Sequence, residues 1–411
     1  MSDQPTNAKN NILDAVPFNS PAVAANSERY VAESLASRRL SGDGDFTARA
    51  SKILSALHNG STALLTTSGT AALEIMALLW RLEPGDEVIV PSFTFVTGAS
   101  AFAARGATLV FADIDDATLN LDLDEVRSLI TERTRLIVPV NYAGRPSIDA
   151  SFVAEMTDLG VSVVEDNAHG LFATASDSTP LGTFGAASAL SFHETKNVSC
   201  GEGGAVILND PELVERAEII REKGTNRSNF FRGLADKYTW IEVGSSYLMS
   251  DIHAALLLAQ LEQVEQTQRQ RGDVWRRYSR QLAPWAREWN VRLPPEISGA
   301  SHHMFELIMP TSKARDSFIA HMRELKITAP FHYLPLHLSP AGERYGHAPS
   351  QCPRTIDISS RLVRLPLYAD LDPARQLRVI EECARFAELG GFDTEAVVYP
   401  PSIERASLNP S

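Results

Sequence analysis

The sequence predicts an α/β protein: a large domain built on a mixed, mainly parallel sheet, then a smaller α+β C-terminal domain. Two observations carry this expectation. Between about residues 63 and 208, short apolar runs alternate with segments of helical periodicity, the pattern of strands joined by crossover helices. Beyond an amphipathic stretch at 249–280, the alternation gives way to isolated strands and longer helices. A chain of 411 residues has room for two domains. They are expected at 15–280, including a bridging helix, and at 281–397, with tails at 1–14 and 398–411.

Taken in order, the N-terminal run MSDQPTNAKNN is polar and is expected to be disordered. Ser27 is placed to cap a helix running to Ser37. The glycines of Ser41-Gly-Asp-Gly-Asp-Phe-Thr47 follow no strand and lack the third glycine of a dinucleotide fingerprint, so a tight loop is predicted there. Residues 63–66 read as a strand, and Ser68-Gly-Thr70 then feeds a helix at 71–80 with Leu73, Met76, Ala77 and Trp80 on one face. Further strands are predicted at 87–90, 108–112, 136–140 and 161–165, with helices at 98–105, 123–131 and 148–159. A strand opening at Ala189 and another at 205–208 enclose a polar turn. Residues 221–240 predict a loop dense in Lys, Arg and aromatics, and 249–280 one long helix or two. The second domain is expected to hold a strand at 305–309, helices at 313–324 and 374–389, and a loop at 331–337.

Composition narrows the function classes. A formal net charge of −13 argues against broad nucleic-acid or anionic-membrane binding, which needs a basic footprint. Cys200, Cys352 and Cys383 have neither metal-ligand nor CxxC spacing, so no metal is expected, and a sparse odd set suits a reducing compartment. No signal peptide and no membrane-spanning apolar run are seen, which predicts a cytoplasmic protein.

The chemistry centres on Lys196, a single lysine in the small-residue turn between two apolar strands. A lysine desolvated on such a scaffold loses its proton more readily and can form a Schiff base with an aldehyde. Pyridoxal phosphate is the aldehyde to look for; it needs a carboxylate at its ring nitrogen and donors for its phosphate. The Ser68-Gly69-Thr70 turn at a helix N-terminus, with open N–H groups at the positive end of the dipole, is such a phosphate site.

Six motifs in this order resemble the sugar-nucleotide aminotransferases of the DegT/StrS type, a branch of the fold-type I (aspartate aminotransferase-like) pyridoxal phosphate enzymes. They are Ser68-Gly-Thr-Ala-Ala-Leu73, Pro91-Ser-Phe-Thr-Phe95, Pro139-Val-Asn-Tyr-Ala-Gly144, Glu165-Asp-Asn-Ala-His169, Ser191-Phe-His-Glu-Thr-Lys-Asn197 and Gly201-Glu-Gly-Gly204. The resemblance implies that Lys196 is the Schiff-base lysine and proton carrier, and that Asp166 keeps the pyridine nitrogen protonated. It implies that His169 contacts the ring oxygen and that Gly69, Thr70 and Ser191 hold the phosphate. Phe95 matches the aromatic stacked on the ring, with a plain core phenylalanine as the alternative. Where the family has a partner-subunit asparagine reaching the phosphate, this chain has Ser246, in Gly244-Ser-Ser-Tyr-Leu248. A homodimer with shared active sites is implied.

The runs 193–197, 221–227, 230–233, 236–240, 244–251 and 331–333 are more specifically similar to the TDP-4-amino-4,6-dideoxygalactose transaminases. These take the amino group of L-glutamate, releasing 2-oxoglutarate, and place it on C4 of TDP-4-keto-6-deoxyglucose, with pyridoxamine phosphate as the carrier. Lys223, Arg227 and Arg232 are then candidates for a diphosphate or the glutamate carboxylates, or a solvated basic loop, and His332 is a further substrate candidate. Three other readings stand beside this one. The same chemistry could act on a UDP sugar or a C3 ketone, or the scaffold could serve as a non-catalytic, cofactor-binding regulator. A pyridoxamine-dependent dehydratase of this fold would carry histidine at position 196, where this chain has lysine.

Overall fold

The computed structural model describes residues 15–233 and 236–392. The expectations for both tails and for the last residues of the small domain lie outside these. The strands are β1 (Thr62–Thr66), β2 (Glu87–Pro91), β3 (Thr108–Ala112), β4 (Thr134–Ile137), β5 (Ser162–Asp166), β6 (Ala187–Ser191), β7 (Gly204–Leu208), β8 (Phe305–Ile308), β9 (Gly346–His347) and β10 (Leu362–Leu365). Eight of them form one sheet in the order β1-β7-β6-β5-β4-β2-β3-β9. Only β7 runs against its neighbours; the ladders from β6 through β9 are parallel.

Period-two alternation puts opposite side chains of each strand into opposite cores. Leu64, Val206 and Leu208 face the helix Gly69–Leu79, whereas Ala63, Leu65, Ala205 and Ile207 face the helices Asp45–Leu57 and Asp251–Glu262. Burial on both sides explains why the strands read as unbroken apolar runs. A separate apolar core forms around the two-stranded β8–β10 sheet, packed against the helices Val264–Glu288, Ser312–Glu324 and Pro373–Glu388.

Helix starts follow local caps in several places. Ser68, Asp122, Asp149 and Ser250 each accept a backbone N–H of the turn they open. Four expectations change. Asn26, not Ser27, is the cap residue of Ser27–Ser37, and Ser27 is its first helical residue. The loop at 41–47 ends at Gly44, because a helix opens at Asp45. Its N-terminus is capped across the fold by Asp251, which accepts from Phe46 N (3.3 Å) and Thr47 N (2.8 Å). The fourth sheet strand ends at Ile137, and Val140 makes only a bridge to Asp166. The 221–240 loop is not wholly irregular: Arg221 closes the helix Val214–Arg221, and Arg227–Phe231 is a short helix. The 249–280 stretch resolves into two helices that break at Gln263.

Candidate active site

The C-terminal ends of the parallel strands open into a cleft of about 700 Å³. Gly69, Thr70, Phe95, Asp166, His169, Ser191, Lys196 and His332 all line it.

One wall is the turn between β1 and the helix Gly69–Leu79. Ser68 Oγ accepts the Ala71 N–H at 3.1 Å, while the N–H groups of Gly69 and Thr70 have no acceptor among the described residues. The turn is seated by close backbone approach. A Cβ on Gly204 of β7 would lie 2.4 Å from Ser68 O and 2.5 Å from Gly69 N, and one on Gly69 would lie 2.9 Å from Ser191 Cβ. Two glycines thus bring three segments together around the open N–H groups and the Ser191 hydroxyl.

Asp166 closes β5 and is buried, with Oδ1 accepting the Ala168 N–H at 3.1 Å. Burial raises its pKa, and the Ala168 N–H and the charge of Lys196 pull the other way. Its neighbour Glu165, wholly buried beneath the cleft, takes four hydrogen bonds from Asn141 Nδ2 and the N–H groups of Gly182, Phe184 and Gly185. Lys196 sits half-buried in the turn between β6 and β7, with its N–H donating to His193 O at 2.9 Å. Burial pushes its pKa down to about 8; Asp166 opposes this and Arg364 adds to it.

His169 stacks on His303 with ring centroids 4.2 Å apart, and its buried Nδ1 has no hydrogen-bond partner among the described residues. Asn197, next to Lys196, donates to Ser301 O, which turns its Oδ1 to His303 Nδ1 at 2.8 Å. His332 Nδ1 lies 3.1 Å from Tyr142 Oη. Phe95 is 55% exposed, so it is not a core phenylalanine; its neighbour in the motif, Phe93, fills that role at 1%.

The donor set suits pyridoxal phosphate. Open N–H groups and hydroxyls stand at a helix N-terminus, a buried carboxylate lies near a lysine of lowered proton affinity, and an orphaned imidazole nitrogen and an uncovered aromatic face border the same space. Four candidates lie elsewhere. Lys223, Arg227, Arg232 and Ser246 are exposed and do not line this cleft. Arg227 bonds Glu222 at 2.8 Å, Arg232 bonds Glu218, and Ser246 bridges to Glu222. Sequence reasoning missed Phe18, Asn19, His303 and Arg364, which do line it. Arg364 left one signal, a lone charge in the apolar run Leu362-Val-Arg-Leu-Pro-Leu367.

Residues 21–384 match the DegT/DnrJ/EryC1/StrS aminotransferase family. The dTDP-4-dehydro-2,3,6-trideoxy-D-glucose 4-aminotransferase of Saccharopolyspora spinosa is 31% identical over 78% of this chain and 83% of its own. The structure of the aminotransferase TlmJ from Streptoalloteichus hindustanus superposes with a TM-score of 0.83 at 28% identity, covering 91% of this chain and all of that one. The PLP form of Spr1654 from Streptococcus pneumoniae does so at 0.82 and 25%, covering 91% and 99%. The chain therefore belongs to the DegT/DnrJ/EryC1/StrS family and is a pyridoxal phosphate-dependent sugar aminotransferase of fold type I.

Proposed function

We propose that this enzyme transfers the amino group of L-glutamate to C4 of TDP-4-keto-6-deoxy-D-glucose, giving a TDP-4-amino-4,6-dideoxyhexose. The observation that carries the transfer chemistry is the pairing of Lys196, with its lowered proton affinity, and buried Asp166 in one cleft. The TDP-linked 4-keto sugar is supported by the name of the S. spinosa relative and by the 193–251 run.

When bound, the cofactor supplies an electron sink for the carbon that loses its proton. Lys196 Nζ takes that proton from the amino-acid α carbon and later delivers one to the sugar carbon, a task suited to an amine titrating near neutral pH. Asp166 would accept the ring N–H and so favour the charged form of the ring. Gly69, Thr70, Ser191, Phe95 and His169 line the cleft; the first three would hold the phosphate, Phe95 would cover a face of the ring and His169 would contact its oxygen. His332 lines the same cleft and would contact the substrate. Ser246 and the basic residues Lys223, Arg227 and Arg232 belong, on this reading, to the cleft of a second copy in a cytoplasmic homodimer. On this reading residues 15–280, with the bridging helix, make the cofactor domain and 281–397 the smaller one.

The test is proton NMR of the sugar product formed from cofactor, glutamate and TDP-4-keto-6-deoxyglucose, run beside the 2,3,6-trideoxy sugar named for the relative. A product with nitrogen at C4 supports the reading, and its H3–H4 and H4–H5 couplings assign the amine as axial or equatorial. Glutamate consumption with no aminated TDP sugar would remove the substrate assignment.

A further inference from the structure

The turn that carries Lys196 also sets the orientation of a hydrogen-bond acceptor in the cleft. Asn197 donates from Nδ2 to Ser301 O at 2.9 Å and more weakly to Gln268 Oε1 at 3.4 Å. A carbonyl oxygen accepts only from the NH2 end of a carboxamide, so Asn197 Oδ1 is the atom turned to His303. Its 2.8 Å contact with His303 Nδ1 then requires the proton on that nitrogen. The ring is only 8% exposed, and burial holds it neutral, with His169 and the charges of Lys196, Arg271 and Arg364 acting in the same direction. His169 stacks against it at 4.2 Å, and Arg271 Nη2 donates to His303 O at 2.6 Å. Ring and main chain are thus both held. The remaining nitrogen, Nε2, is a bare acceptor. It has no hydrogen-bond partner among the described residues, and His303 lines the cleft.

We propose that His303 Nε2 accepts a hydrogen bond from the hydroxyl on sugar C3, and so selects keto sugars that carry one. This assignment rests on the reading of amination at C4 and names the neighbouring group that is recognised. Sugar C4 must come within reach of Lys196, and the residue next to that lysine holds the His303 ring. The ring therefore meets the substituents of the carbons that flank C4. C5 carries the ring oxygen, which has no proton, and a methyl group, because the sugar is 6-deoxy. C3 carries a hydroxyl, which alone of these can donate to a bare nitrogen. The amino-acid donor offers no competing match beside its reacting carbon, since a carboxylate only accepts. A site built to pair a substrate hydroxyl rejects the analogue without it, because its own buried polar atom is then left unpaired.

The experiment presents the pyridoxamine form of the enzyme with three TDP-4-keto sugars: the 6-deoxy sugar, its 3,6-dideoxy analogue and its 2,6-dideoxy analogue. The kcat/KM of each is read from the loss of pyridoxamine absorbance. The parent is expected to favour the 6-deoxy over the 3,6-dideoxy sugar by about 5- to 150-fold, the cost of leaving one buried acceptor unpaired. Removal of the 2-hydroxyl should have no comparable effect. His303→Phe keeps a ring against His169 but has no acceptor, and it should abolish the preference at C3. General damage to the site cancels from this ratio, because both sugars meet the same variant. Asn197→Leu releases Nδ1, allows the proton to move to Nε2, and should weaken the preference as well. A parent enzyme indifferent to the 3-hydroxyl overturns the inference without any variant. A preference retained in His303→Phe overturns it too. Should that variant fail to fold, an undiminished preference in Asn197→Leu refutes it. An enzyme that aminates UDP-linked but not TDP-linked 4-keto sugars faults only the nucleotide, and the same comparison on the UDP sugars decides the role of His303. Amination at C3, or of no 4-keto sugar at all, overturns the substrate reading and this inference together.

Discussion

Replacing Glu165 by Gln tests whether the floor of the cleft depends on a buried charge. The Glu165 carboxylate is buried, and Oε2 accepts from Asn141 Nδ2 at 3.0 Å and Gly182 N at 2.9 Å. Oε1 accepts from Phe184 N at 2.9 Å and Gly185 N at 3.0 Å. Burial raises its pKa and these donors lower it, so the donors are what favour the ionised form. Glutamine is nearly isosteric but has one acceptor oxygen. Whichever way it turns, two of the four bonds are lost and an NH2 group faces two donors. A hydrogen bond to a charged acceptor contributes about 1.5–3 kcal/mol, and a stranded buried donor costs about 1–3 kcal/mol. Relief of the carboxylate's desolvation offsets part of the sum, which leaves an expected loss of about 3–5 kcal/mol. The assay is urea unfolding of the cofactor-free protein followed by circular dichroism, with the change read from the midpoint at constant slope. A loss below about 1 kcal/mol would refute the reasoning, because it would mean that the four donors do not depend on an ionised acceptor.

Two further predictions concern the lysine and the histidines. Lys196→Ala should abolish the visible absorbance of lysine-attached cofactor and lower turnover by more than about 10³-fold with the fold intact by circular dichroism; retained turnover would remove Lys196 from the chemistry. His169, His303 and His332 are all held neutral, with pKa values well below the ordinary 6.5 and burial as the main cause. Because the unfolded chain binds those protons first, stability is full above about pH 6.5 and falls as the pH drops below it, each histidine adding a slope approaching about 1.4 kcal/mol per pH unit. Unfolding midpoints between pH 7.5 and about 5 check this against His303→Gln, which should flatten the slope; parent and variant curves of equal slope would contradict it.

The sheet was legible in the sequence because strands buried on both faces leave continuous apolar runs, as at 87–90 and 205–208. Lys196 and Asp166 were legible for a related reason: Asp166 closes such a run and Lys196 stands in the turn that joins two of them. What stayed hidden was supplied by distant residues. The helix at Asp45 carries no local cap, because Asp251 caps it from the other side of the sequence. Arg364 and His303 join the cleft only through the placement of the β8–β10 sheet, and Glu306 would have been matched to Arg364 had Arg145 not taken it. The basic run 223–232 illustrates the converse, since charge density in a loop says nothing about which cleft it faces.

The contact of Gly204 with the Ser68–Gly69 turn has a consequence for the order of assembly. The turn is fixed by β1, yet its seat is provided by β7, and the two meet through the ladder that pairs Thr62 with Leu208. The hairpin that carries Lys196 is made by the same β7 and β6. A nascent chain that has emerged only through β6 has neither the seat nor the lysine in place, however well its earlier βα units have formed. Phosphate seat and reactive amine come into being in one non-local closure, a step of high contact order. Capture of the cofactor therefore marks closure of the β1–β7–β6 ladders, and ligand present at that moment draws the chain toward the closed form by mass action.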